Sequence, residues 1–167
     1  MRIRFAATVG TMLTLAVAST VLGTSTAYAA GPDGAAAPHC AYNADTAKLA
    51  CAATPERARR DVGGRASYLV AQLWKDDEYQ GGTLRYYKSR ACTTTMDDRE
   101  IAVPVVPAGW NDKLTSVKTD RSTASTRCSV RIYQHGRFTG PSFTVYHYTR
   151  NLGNFGWNDH ASSWYIS

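Results

Sequence analysis

"LWKDDEYQGGTLRYY", Leu73 to Tyr87, can be laid over "IYQHGRFTGPSFTVY", Ile132 to Tyr146, at an offset of 59 positions. Trp74 then falls on Tyr133, Tyr79 on Phe138, Gly81 on Gly140, Leu84 on Phe143 and Tyr87 on Tyr146. The shared pattern is an aromatic, four residues, an aromatic, one residue and a glycine. Such self-similarity points to one supersecondary unit built twice. Around it, "YLVAQLW" and "CSVRIYQ" are rich in branched and aromatic residues, and "TLRYY" and "SFTVYHY" alternate. These are strand signals. The polar loop ending at a glycine suits a folded-over hairpin. There the glycine takes positive φ or lets an aromatic ring lie across the backbone.

A second repeat follows each hairpin: "GWNDKLTS", Gly109 to Ser116, and "GWNDHASS", Gly156 to Ser163. Its offset is 47, so the first copy holds an insert between Tyr87 and Trp110. A third short strand, and a fourth beginning at Thr115 or Ser162, complete four strands per unit. Four antiparallel strands with one long return form a Greek key. Two such units bury their inner faces as a sandwich, so the expected fold class is all-β.

The hairpin pattern followed by the Asn-Asp and hydroxyl cluster resembles the βγ-crystallin Greek key, in both copies and in the same order. The resemblance covers residues 68–167, with motif one at 68–122 and motif two at 127–167. Among secreted members, the cysteine-bearing two-motif form is similar to bacterial metalloproteinase inhibitors of crystallin fold, and more distantly to a killer-toxin-like branch. The resemblance implies two reciprocal calcium sites, calcium being a structural ion. One would use the Lys113 carbonyl, Thr115 and Asp159; the other, the His160 carbonyl, Ser162 and Asp112. Asn111 and Asn158 would support the loops, and a hairpin carbonyl near Asp77 or Gly136 would add a ligand. Carboxylate, carbonyl and hydroxyl oxygens without soft donors suit calcium. One acid per site implies modest affinity. In the competing reading, the Asn-Asp turn bonds its own backbone and the final serine locks the hairpin without an ion.

Outside the repeat, Arg2 and Arg4 precede an uncharged run from Phe5 to Val21, and "AYA" ends at Ala29. This reads as a secretory signal peptide, 1–29, cut after Ala29. The exported chain of 138 residues suffices for one domain. Net charge is +6 with the leader and +4 without its two arginines. Basic residues are scattered, with "RARR" (Arg57 to Arg60) the one local cluster. No basic stripe or reading motif argues for nucleic acid, and no other run is long enough to span a membrane. A monomer is expected. Cys40, Cys51, Cys92 and Cys128 imply two disulfides in an exported chain. Of three connectivities, Cys40–Cys51 with Cys92–Cys128 is favoured, because the first closes a short local loop. Zinc lacks its ligand spacing. Residues 30–67 read as a disulfide-tied extension. In it Thr54-Pro55-Glu56 starts a short helix and Gly63 stops it. Arg59-Arg60 is either a processing site or exposed charge.

No enzyme is expected. His39, His135, His147 and His160 accompany no nucleophile motif. The pairs Asp76-Asp77 and Asp97-Asp98 read as solvated loop acids. Function then rests on binding. The first reading is an inhibitor of an extracellular protease, a metalloprotease by the resemblance. Its candidate loop is "DREIAVPVVPAG" (Asp98 to Gly109), where Ile101, Val103, Val105 or Val106 would enter the cleft. A pre-organised segment lowers the entropy cost of such binding. Against it stands the reading of this run as a core strand. The alternatives are a calcium-stabilised surface or glycan-binding module, and a toxin against competing microbes.

Overall fold

The computed structural model describes residues 39–93, 95, 98–120 and 128–167. The signal-peptide reading and Asp97 lie outside them. Among the described residues ten strands form two sheets. The six-stranded sheet has the order β2 (Lys48–Ala52), β1 (His39–Asn43), β4 (Thr83–Lys88), β3 (Tyr68–Trp74), β6 (Ser116–Thr119), β9 (Tyr148–Thr149). The four-stranded sheet has the order β5 (Ile101–Val103), β10 (Ser163–Ile166), β7 (Val130–His135), β8 (Thr139–Val145). The all-β expectation holds. The third strands are exchanged: β9, from the second half, pairs with β6, and β5, from the first half, pairs with β10. Each sheet therefore needs both halves of the chain.

The core lies between the sheets because strand alternation turns one face of each inward. Val70, Leu73, Leu84, Val117, Ile132, Trp164 and Ile166 are buried there. Trp110 and Leu114, from the loop before β6, and Leu152 close the same cluster. The Trp164 indole N–H donates to the Tyr86 hydroxyl at 2.9 Å, satisfying a buried donor across the sandwich. Phe143, expected inward, is half-buried and packs on Phe155 and Trp157, ring centroids 5.1 and 6.0 Å away.

The segment before Tyr68 is more ordered than an extension. β1 runs parallel to β4 and β2 antiparallel to β1, so this segment widens the first sheet. Helix α1 (Pro55–Val62) starts where expected: the Thr54 side chain accepts from the Arg57 N–H, and Gly63 ends it at φ 61°. Its Ala58 and Val62 pack on Ala41, Ala52, Ala66 and Tyr87, a second small core on the sheet's outer face. Small side chains on β1 and β2 let the helix approach closely. Alanine is a weak strand former, which is why local sequence reads this region as loose. Arg59 lies over the Tyr87 ring at 4.3 Å and donates to the Ala66 carbonyl, a packing role rather than a free basic pair. Both favoured disulfides are present, Cys40–Cys51 within the β1–β2 hairpin and Cys92–Cys128 from the insert to the entry of β7.

Candidate functional site

The site is built on the two repeated hairpins, Leu73–Tyr87 and Ile132–Tyr146. In the first, Glu78, Tyr79 and Gly81 take positive φ of 48°, 63° and 73°; in the second, Arg137, Phe138 and Gly140 take 58°, 59° and 77°. This fold-over brings Tyr79 against Trp74 at 5.0 Å and Phe138 against Tyr133 at 5.8 Å. What crosses the glycines, however, is not an aromatic ring of the repeat. A Cβ on Gly81 would lie 2.3 Å from an Asp76 carboxylate oxygen, and one on Gly140 2.5 Å from the His135 ring. Each hairpin is locked by the last serine of its own cluster. The Ser116 hydroxyl donates to the Asp76 carbonyl (2.7 Å) and accepts from the Tyr79 N–H (3.3 Å). Ser163 does the same with His135 (2.6 Å) and Phe138 (3.0 Å).

The Asn-Asp turns meet across the seam between the halves. Asp112 and Asp159 are both left-handed, φ 51° and 55°. The Asp112 N–H donates to the Ala161 carbonyl and the Asp159 N–H to the Leu114 carbonyl, each at 3.2 Å. Each cluster thus donates into the other. Ser162 Oγ donates to Asp112 Oδ1 at 3.4 Å. The neighbouring amides orient the acids: Asn111 Nδ2 donates to Asp112 at 2.6 Å and Asn158 Nδ2 to Asp159 at 2.9 Å. Lys113 and His160 are exposed.

The two ends are not equal. An open cavity of about 560 Å³ is lined by Lys75, Asp76, Asp77, Thr115, Asn151, Gly153, Asn158 and Asp159. It gathers Thr115 and Asp159 with two hairpin acids. The other end has His135 and Gly136 in those hairpin positions, and the Gly136 carbonyl already accepts from Thr139 Oγ1 at 2.9 Å. Asp76 and Asp77 are exposed, as expected of solvated loop acids, and the hairpin near Asp77 was expected to add a ligand; Asn151, whose Nδ2 reaches Asp77 Oδ2 at 3.4 Å, was not expected here. Asn-x-Gly at 151–153 does signal a turn, and the Gly153 N–H donates to Asn151 Oδ1 at 2.7 Å. The reach to Asp77 depends on long-range packing. Arg150 pairs with Glu78 at 3.0 Å, and that partnership raises its pKa. Burial pushes the Tyr79 hydroxyl up. Among the described residues no three His, Cys, Asp or Glu side chains converge as a metal cluster. A hard cation at these ends would therefore lean on carbonyl and hydroxyl oxygens as well as carboxylates.

The candidate inhibitory loop is corrected by the fold. Ile101 and Val106 are buried in the core, and Val103 pairs with Trp164 in β5. Only Val105, 69% exposed, remains for a partner. The exchanged third strand takes Ile101–Val103, and Val106 turns into the core behind it, while Ala102, Pro104 and Val105 stay exposed.

Two Greek keys with exchanged third strands, glycine-kinked hairpins and serine locks after Asn-Asp turns define a βγ-crystallin-like domain. No family model matches this sequence, and comparison with curated proteins finds no match. Among solved structures, the chain is similar to a βγ-crystallin domain studied for the evolution of the eye-lens fold. Identity is 20% and TM-score 0.44, over 63% of this chain and 91% of that one. It is also similar to a βγ-crystallin from an archaeon, at 14% identity and TM-score 0.43, over 60% and 100%. A third similar structure is a βγ-crystallin domain from Clostridium beijerinckii, at 21% identity and TM-score 0.42, over 58% and 95%.

Proposed function

We propose that this chain is an exported, non-catalytic Greek-key protein whose paired Asn-Asp clusters take calcium as a structural ion. The observation that carries this reading is the reciprocal crossing of Asp112 to Ala161 and Asp159 to Leu114, which sets each acid beside the other half's hydroxyl loop. Thr115, Asp159 and the Lys113 carbonyl, with Asp77, would hold one ion; Ser162, Asp112 and the His160 carbonyl would hold the other. Export rests on the leader pattern and agrees with two disulfides. Ligand binding to the folded state alone stabilises it by RT ln(1 + [L]/Kd), about 2.7 kcal/mol at a hundred times Kd. Calorimetric titration with calcium chloride should show heat, and the melting temperature should rise with calcium and fall with chelator. No heat and an unmoved melt would leave the clusters as hairpin locks only.

A second reading, inhibition of an extracellular metalloprotease, is supported by Val105. It stands exposed between Pro104 and Pro107, and the loop is pinned by Arg137 N–H to the Pro104 carbonyl (2.6 Å) and Val106 N–H to the Ser162 carbonyl (3.4 Å). Titration against a thermolysin-like metalloprotease and a serine protease tests it. Inhibition lost on Val105→Asp would support this reading; none by the parent protein would end it.

A further inference from the structure

The outer face of the four-stranded sheet carries chemistry that the calcium reading does not use. Core residues Ile132, Trp164 and Val145 point inward, so their strand neighbours form the opposite face. Register sets Ala102, Tyr165, Arg131 and Thr144 in one row, and Ser163, Tyr133 and Ser142 in the next. Tyr133, Phe138 and Tyr165 form a triangle of rings with centroids 5.8 to 6.2 Å apart. Two guanidiniums lie on it: Arg99 at 4.7 Å from Phe138 and 5.2 Å from Tyr165, and Arg131 at 5.9 Å from Tyr133. Arg131 also donates to Ser142 Oγ at 3.3 Å and to the Tyr165 hydroxyl at 3.4 Å.

Two features of this face bear on its ligand. Among the described residues the ion pairs are Arg85–Glu56, Lys88–Glu100 and Arg150–Glu78, so neither Arg99 nor Arg131 has a carboxylate partner. Even Glu100, next to Arg99 in the chain, is engaged by Lys88. Stacking on rings also holds a guanidinium in place, and Arg131 has Nη2 left for an acid beyond its bonds to Ser142 and Tyr165. Arginines fixed in this way lose little entropy on meeting an anion. Hydroxyls of Ser142 and Thr144 lie on β8 beside Arg131, on the side away from Arg99, and Tyr146, 58% exposed, follows them at the end of β8.

We propose that this face binds a carboxylate-bearing polysaccharide, with Arg99 and Arg131 forking onto uronate groups and Tyr133 and Tyr146 flanking the sugar rings. Two separate guanidiniums among hydroxyls and rings match a chain with one acid per sugar. A nucleic acid, with a phosphate on every residue, calls for a continuous basic stripe. The test is affinity electrophoresis of the full exported chain in gels containing polygalacturonate, neutral dextran or duplex DNA. Polygalacturonate alone should retard the protein. Arg99→Gln with Arg131→Gln should weaken that retardation at least tenfold, and Arg131→Lys should weaken it partly by losing the fork. Lys118→Gln, exposed on the other sheet, removes the same single charge as Arg99→Gln and should change nothing. If the double variant misfolds by circular dichroism, Arg99→Gln alone carries the comparison. The proposal fails if the protein runs unretarded, if Lys118→Gln weakens binding as much as Arg99→Gln, or if DNA retards the protein equally.

Discussion

Ser163 satisfies two backbone groups at once, and it is fully buried. Ser163→Ala removes both bonds without filling space, leaving the Phe138 N–H and His135 carbonyl with no hydroxyl partner. Lost partners of this kind cost about 1–3 kcal/mol. Urea unfolding of Ser163→Ala should show that loss, and Ser116→Ala a similar one at the other hairpin. A loss under half a kilocalorie would mean that water replaces the hydroxyl. Gly140→Ala tests the same turn from the backbone. At φ 77°, and with the His135 ring 2.5 Å from the new Cβ, alanine should cost about 1–3 kcal/mol. These residues were legible in the sequence because the hairpin and its lock are short, repeated and rich in glycine and hydroxyls. Asp76 over Gly81 was not legible: the acid is exposed, as its sequence suggests, but its place across the glycine depends on how the hairpin folds over.

Elements divide by how local their cause is. β3, β4, β7 and β8 follow from alternation within a few residues, and α1 from a threonine cap, a proline and a glycine. The exchanged strands β5 and β9 have three and two residues, too short for any periodicity. Their placement comes from partners far along the chain. β1 was hidden by its small residues, and it brings His39 beside β4, where Nδ1 meets Thr83 Oγ1 at 3.1 Å. Burial, and then the Arg85 charge, hold this imidazole below its ordinary value of 6.5. The folded chain therefore takes the proton less readily than the unfolded one. Stability linked to His39 is full above about pH 6.5 and is lost as pH falls from there toward the lowered folded value. Melting curves between about pH 7.5 and pH 5 should fall more steeply for the parent than for His39→Gln. Parallel curves would show that another group governs the acid limb.

At the scale of the whole molecule, exchanged strands, the Cys92–Cys128 disulfide and the crossed Asn-Asp turns all join the halves. The pseudo-symmetry of the turns invites two equal ions, but the hairpins break it. Asp76 and Asp77 stand at one end where His135 and Gly136 stand at the other. More carboxylates mean tighter calcium binding at a given geometry. The end built on Thr115 should therefore bind roughly tenfold or more tightly than the end built on Ser162. Substitution separates them, because each acid crosses to the other half's hydroxyl loop. Asparagine is the suitable replacement: it removes the charge and tolerates the left-handed backbone that both positions adopt. Asp159→Asn should abolish the tighter heat and most of the calcium-dependent rise in melting temperature. Asp112→Asn should leave the tighter heat in place and remove the weaker one. Asp77→Asn should weaken the tighter site alone, since Asp77 lines the Thr115 cavity. Equal effects of Asp112→Asn and Asp159→Asn on both heats would mean a single shared ion and overturn the assignment of one site to each end.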